Sequence, residues 1–223
     1  TVKLAPPQGG KIFEYLPGQF QFINFFRDRN LPVEEHHCTL SSSPAEKNYV
    51  SCTIKAIGDF TATIKDSRPG DTAAVHGPFG RFSYALHPDE RDLVFVAGGI
   101  GITPLMSMLR HMRDVRAPHS IVLLYGNPNL GQAVFRHELE EIEASGHPKL
   151  KVVNVLSAPD ENWRGESGHI DAEKIVRYCG RELSGKTFYV CGPPPLIAGV
   201  VSGLYEMGVS HRQIRVEIFS FLD

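Results

Sequence analysis

Gly98, Gly99 and Gly101 follow the apolar run Val94-Phe95-Val96-Ala97 and precede Thr103-Pro104-Leu105. A strand that breaks into glycines and then enters a helix clears space beside unpaired backbone N–H groups. The positive end of the helix dipole adds to them, and together they suit a phosphate. The order of residues predicts Thr103 as the N-cap, with Pro104 in the first helical turn. A turn needing positive φ would explain one such loop. A second loop, Cys191-Gly192-Pro193-Pro194-Pro195, closes another apolar run, and a turn requirement alone does not predict both. Pro104 stands where the dinucleotide fingerprint has its third glycine, and no Gly-Lys-Ser/Thr follows for a P-loop.

Cys191 ends its apolar run with no base or cation beside it in sequence. It therefore reads as a small buried hydrophobe and not as a nucleophile. His36-His37-Cys38 invites a metal reading. On a strand His36 and Cys38 share one face and His37 points away, and two same-face ligands are too few for a closed zinc site, so no metal is expected. None of the four cysteines has CxxC spacing, which speaks against an iron–sulfur cluster or a disulfide framework. Ser41-Ser42-Ser43 reads equally as a solvated turn.

The elements that must hold these residues fall into two rhythms. Up to about residue 90 the text is β: alternating runs such as Phe20-Gln21-Phe22-Ile23-Asn24-Phe25 and Val50-Ser51-Cys52-Thr53-Ile54-Lys55 are parted by Pro17-Gly18, Pro69-Gly70-Asp71 and Gly77-Pro78-Phe79-Gly80. That pattern predicts an antiparallel barrel or sandwich, with a short helix over 60–65. From residue 93 strand-like runs at 93–97, 121–125, 150–156, 187–191 and 213–219 alternate with helical stripes. The stripes are Leu105, Met108, Leu109, Met112 and Val115; Phe135, Leu139 and Ile142; Ile175, Cys179 and Leu183; and Leu196, Val200, Leu204 and Met207. This predicts a doubly wound parallel sheet of order 3-2-1-4-5, whose reversal point brings the two glycine loops together. The expected boundary lies at 88–92, giving domains 1–90 and 91–223. A net charge of −2 argues against nucleic acid as a partner, and no apolar run reaches membrane-spanning length. The text opens inside a strand-like run without Met, and reads as a piece of something longer with an incomplete first strand.

Taken together, Pro17-Gly18-Gln19, His36-His37-Cys38-Thr39-Leu40-Ser41-Ser42-Ser43-Pro44, Gly58-Asp59-Phe60-Thr61, Gly77-Pro78-Phe79-Gly80, Gly98 to Pro104, Tyr125-Gly126-Asn127 and Cys191-Gly192-Pro193-Pro194 resemble the ferredoxin–NADP reductase superfamily. The His-x-x-Thr-x-x-Ser form followed by Gly-Asp-Phe-Thr is most similar to its ferric reductase and NADPH oxidase branch. The resemblance implies a six-stranded FAD-binding barrel and an NAD(P)-binding α/β domain. It implies that His36 meets the flavin pyrophosphate or ribityl chain, that Thr39 lies near flavin N5, and that Cys38, Ser41 and Ser42 complete the motif. Gly58, Asp59, Phe60 and Thr61 would open the short helix at the FAD pyrophosphate. Gly99, Gly101, Thr103 and Pro104 would face the nucleotide pyrophosphate. Cys191, Gly192 and Pro193 would line the nicotinamide. Glu217 and Phe219 match a carboxyl-terminal Glu-x-aromatic in which the ring covers the flavin, with Phe221 as a rival. The catalytic set is then Thr39, Cys191 and Glu217. Cys38 departs from the family's Tyr or Phe, which loosens FAD unless another ring such as Phe79 substitutes.

The implied activity is hydride transfer from NADH or NADPH to FAD, then single electrons to a membrane haem domain, ferredoxin, cytochrome or ferric chelate. The expected location is cytoplasmic, on the membrane face if a haem-bearing membrane domain lies upstream. A flavin- or nucleotide-binding relay subunit without its own turnover is the alternative. Pro128-Asn129 in place of an Arg leans to NADH, with Arg164 as a cation that would restore NADPH.

Overall fold

The computed structural model describes residues 1–219; Phe221 lies outside them. The first half holds β1 (Val2–Leu4), β2 (Phe20–Phe26), β3 (Glu35–Thr39), β4 (Val50–Cys52), the short helix α1 (Asp59–Ala62) and β5 (Thr72–Phe79). The strands are antiparallel, as expected, but their ladders fall into a β1-β4 pair and a β3-β2-β5 sheet in place of six continuous strands. The Ser41 N–H to Ser51 carbonyl bond, 2.7 Å, joins the two sheets. Pro6, Pro7 and Pro17 explain the gap between β1 and β2, because proline has no N–H to give a ladder.

The second half holds β6 (Asp92–Gly98), α2 (Ile102–Asp114), β7 (Ser120–Asn127), α3 (Arg136–Ser145), β8 (Lys149–Leu156), β9 (Glu166–Ser167), α4 (Ala172–Cys179), β10 (Lys186–Cys191), α5 (Pro194–Glu206) and β11 (Ile214–Glu217). The sheet runs β11-β10-β6-β7-β8-β9 and every pairing is parallel. This is the expected 3-2-1-4-5 order, with the two-residue β9 added at the edge. Alternate residues of β6 feed two cores. Leu93, Phe95 and Ala97 pack with Ile102, Leu105 and Leu109 of α2, while Val94 and Val96 pack with Ile175, Val200 and Leu204. Each of these Val, Leu, Ile and Phe side chains contributes about 1.5–3 kcal/mol through burial.

Helix ends differ from the sequence pattern where backbone conformation overrides it. Gly101, not Thr103, is the N-cap of α2, after a 3-10 turn over Gly99–Gly101. Thr103 is inside the helix and its hydroxyl donates to the Ile100 carbonyl at 2.9 Å. Phe135 has φ +63 and so precedes α3, and Leu183 is buried beyond the end of α4. Val115 and Met207 are C-caps and end their stripes.

The halves are latched through α2. Ser107 Oγ donates to the Ser42 carbonyl at 2.7 Å, and Arg110 Nη1 donates to the Ser41 carbonyl at 2.5 Å. Arg110 is itself held by Glu138, 2.8 Å from Nε, and lies over the Phe135 ring at 4.8 Å.

His119 stands 6% exposed at the foot of β7, edge-on to Tyr84, and neither ring nitrogen completes a well-formed hydrogen bond among the described residues. Burial holds its pKa below 6.5, as it does for His37 and His111. An imidazole that resists protonation when folded stabilises the fold above its unfolded pKa of about 6.5, and that stability is lost as pH falls from there through the lower folded value. The urea midpoint is therefore expected to drop between about pH 7.5 and 5.5. His119→Gln is expected to flatten that drop; an unchanged slope would rule out His119 as a source.

Candidate functional site

The register places Ala97 beside Cys191, so the tips of β6 and β10 are neighbours. The glycines then divide by role. A Cβ on Gly101 would lie 2.4 Å from the Cys191 carbonyl oxygen and 2.8 Å from Gly192 Cα. A Cβ on Gly98 would lie 2.7 Å from Pro193 Cδ. These two glycines let the loops pack on each other. Gly99, with φ +52, has nothing within 4 Å of the Cβ position and opens into a crevice; its carbonyl accepts from the Tyr125 hydroxyl at 3.2 Å.

That crevice is a cavity of about 420 Å³ across the carboxyl ends of the parallel strands, lined by Gly98, Gly99, Asn127, Ser157, His169 and Pro193 among others. Its size is ordinary for a small-molecule site. Asn127 is 5% exposed, and neither of its amide atoms has a well-formed hydrogen bond among the described residues. The Asn127 side chain does interact with the Tyr125 hydroxyl beside it, so it is a polar wall of the cavity anchored on β7.

A second, narrower cleft of about 90 Å³ lies between the halves. His36, Cys38, Thr39, Phe60 and Thr61 line it from the first half, Ile100, Thr103 and Phe219 from the second. Thr39 ends β3 opposite Phe20, and its hydroxyl makes no hydrogen bond among the described residues. His36 stacks on Phe60 at 4.0 Å and pairs with Glu34 at 2.9 Å. The Thr61 hydroxyl accepts the Ile57 and Gly58 N–H groups, and a Cβ on Gly58 would meet nothing within 4 Å.

Several expected contacts lie off both cavities. The Ser42 hydroxyl pairs with Tyr15 at 2.8 Å and accepts the Ser51 N–H, and Ser41 Oγ bonds Ser51, so both serines brace the loop. Gly101, Pro104, Cys191 and Gly192 form the packed floor beneath the cavities, and Asp59 and Glu217 line neither. Burial pushes the Cys191 thiol up, with the Glu217 carboxylate beside it adding to the effect, so the sulfur stays protonated and is no nucleophile. Burial likewise raises Glu217, its neighbour across the β10-β11 ladder. Cys38 does line the inter-half cleft, and it is also packed with Cys52 in the core of the first half. Arg164 is turned away, its Nη1 donating to the carbonyls of Glu161 and Trp163.

Sequence reasoning missed Lys55, which lines both cavities and makes no hydrogen bond or ion pair among the described residues. It also missed Ser157 and His169, whose only sequence signal is that they follow strand ends. Among the described residues no group of three or more His, Cys, Asp or Glu side chains is placed to hold a metal, and no helix is long and apolar enough to cross a membrane.

Antiparallel sheets latched to a doubly wound sheet, with one cavity at the strand tips and another between the halves, define a two-domain nucleotide-dependent oxidoreductase fold. Residues 95–202 match the family described as oxidoreductase NAD-binding domain. The chain is 30% identical over 199 residues to NADH–cytochrome b5 reductase 1 of Arabidopsis thaliana, covering 81% of this chain and 70% of that protein. It is 28% identical over 224 residues to a flavohemoprotein of Bacillus subtilis (strain 168), covering 97% and 54%. The flavohem-like FAD/NAD binding domain of nitric oxide dioxygenase from Vibrio cholerae O1 biovar El Tor shares the fold, with a TM-score of 0.83 over 97% of this chain and 90% of that one at 20% identity. The chain belongs to the ferredoxin–NADP reductase superfamily. It spans about half the length of curated relatives such as the flavohemoprotein.

Proposed function

We propose that this chain is the FAD-dependent NAD(P)H reductase module of an electron-transfer protein, with residues 1–90 holding the flavin and 91–223 the nicotinamide nucleotide. The observation that carries this reading is the pair of adjoining cavities that share Lys55. When bound, FAD supplies the chemistry of taking up a hydride and releasing electrons one at a time. The chain's own residues supply position and charge. Thr39 offers an unspent hydroxyl to the inter-half cleft, and Lys55 offers a cation to whatever anion spans the two cavities. Gly99 leaves room for a phosphate beside the entry to α2.

The inter-half cleft must widen to take a flavin ring. Phe219 is the wall best placed to move, since it follows the last strand and is only partly buried. The absence of any Arg from the lining of the strand-tip cavity favours NADH among the described residues. The acceptor is a haem, cytochrome, ferredoxin or ferric chelate. A haem-bearing membrane domain in the same polypeptide would set the module on the cytoplasmic face. The buried Cys38, where the family resemblance implies a ring, favours a second reading as a relay subunit that binds cofactor without turnover.

Anaerobic stopped-flow mixing of the FAD-reconstituted protein with NADH, then NADPH, separates the two. Rapid bleaching of the flavin band is the expected result, faster with NADH. A yellow protein that neither nucleotide bleaches would overturn the reductase reading in favour of the relay.

A further inference from the structure

The four cysteines divide between the halves. Cys179 on α4 and Cys191 at the end of β10 pack with two different cores of the second half. Cys38 on β3 and Cys52 on β4 share one small core of the first half with Ile23, Phe25 and Phe60. The Cys52 thiol lies in hydrogen-bonding contact with Cys38. Gln21 faces Cys38 across the β2-β3 ladder, and its Nε2 donates to Cys52 Sγ at 3.2 Å. A third strand thus holds the Cys52 sulfur beside Cys38. Two sulfurs in contact need only a small approach to reach the roughly 2 Å of a disulfide.

The pair also spans the inter-half cleft. Cys38 is part of one wall with His36 and Thr39, and Cys52 directly precedes the wall residues Thr53, Ile54 and Lys55. A small oxidant entering the cleft meets Cys38, while the shared contact and burial hold the proton on Cys52. These two walls are weakly joined. β3 and β4 belong to different sheets and meet at the Ser41–Ser51 bond, past the end of β3. Residues 53–57 form no regular element. At about 90 Å³ the cleft takes a flavin ring only when walls of this kind part. A covalent bond from Cys38 to Cys52 would tie them together.

We propose that Cys38 and Cys52 are a reversible dithiol–disulfide pair that gates the cleft: reduced, they let its walls part for FAD, and oxidised, they hold it shut. The inference rests on reading the inter-half cleft as the flavin site and adds its regulation. The oxidant is a hydroperoxide. The Cys38 sulfur attacks one peroxide oxygen, the O–O bond breaks, and with hydrogen peroxide the other oxygen leaves as water with the thiol proton. The Cys52 sulfur then attacks the sulfenic sulfur of Cys38. The S–S bond forms, the S–O bond breaks, and a second water carries away the Cys52 proton. Each thiol gives up one electron and the peroxide takes both. A dithiol reductant reverses the change by exchange.

Hydrogen peroxide treatment of the flavin-free protein, followed by intact mass, peptide mapping and FAD titration, tests this. The expected product is lighter by two hydrogens, with Cys38 linked to Cys52, and binds FAD about tenfold more weakly until dithiothreitol restores it. Cys38→Ala is expected to keep after peroxide the FAD affinity it had before. Cys52→Ala is expected to trap Cys38 as a sulfenic acid, heavier by one oxygen. If the Cys38–Cys52 link does not form, or forms and leaves FAD affinity unchanged, the gate is overturned and the flavin reading stands. A peroxide effect on FAD affinity that survives in Cys38→Ala overturns it equally. If the reduced wild-type protein binds no FAD, the flavin reading falls and the gate with it.

Discussion

Gly101→Val is expected to lower the thermal midpoint by about 6–12 °C and to abolish nucleotide binding in the same step. The valine Cβ would sit 2.4 Å from the Cys191 carbonyl oxygen and 2.6 Å from its carbon, and both are backbone atoms of a central strand. Rotamer adjustment cannot relieve such a clash, so the β10 loop and the start of α2 must part. Overpacking of this kind costs about 3 kcal/mol. For a chain of 223 residues each kcal/mol moves the midpoint by about 2–4 °C. Gly99→Ala is the matched control. Its Cβ meets nothing, and the strain of φ +52 alone costs about 1–2 kcal/mol, a shift of about 2–8 °C. A Gly101→Val protein with the wild-type midpoint would show that the loops are not packed as described, and would return Gly101 to direct contact with nucleotide.

The contrast between these two glycines shows how far the sequence could be read. Parallel order, both strand tips and the convergence of the glycine loops follow from period and topology, because βαβ handedness and short connections leave few alternatives. Which glycine faces a ligand and which faces its neighbour depends on the Cys191 carbonyl, about ninety residues away along the chain. No local pattern carries that information. The surroundings of Ser41 and Ser42 were illegible for the same reason: Tyr15, Ser51, Ser107 and Arg110, distant in sequence, bond their polar groups. Lys55 and His169 were illegible because a lone lysine or histidine in a connection is common, and only the fold sets both on the wall of one cavity. The first half is harder to read than the second, since antiparallel strands broken by proline and glycine can join in several registers.

Thr39→Val is expected to slow flavin reduction about tenfold while leaving FAD affinity and the urea midpoint nearly unchanged. The side chain is 8% exposed at the end of β3, and the ladder to β2 fixes its backbone. Its hydroxyl is bonded to nothing among the described residues. Valine keeps the branched shape, so the strand and its packing against Phe20 persist. Because no internal hydrogen bond is lost, a change in rate must arise in the cleft that the hydroxyl faces. Thr103→Val makes the comparison sharp. That hydroxyl is already committed to Ile100 at 2.9 Å, so its loss is expected to cost about 1 kcal/mol of stability and little rate. Anaerobic transient absorbance gives the rate, and equilibrium unfolding gives the stability of both variants. An unchanged reduction rate in Thr39→Val would remove Thr39 from the hydride-transfer machinery. A loss of stability in that variant would mean that the hydroxyl serves the fold and not the cleft.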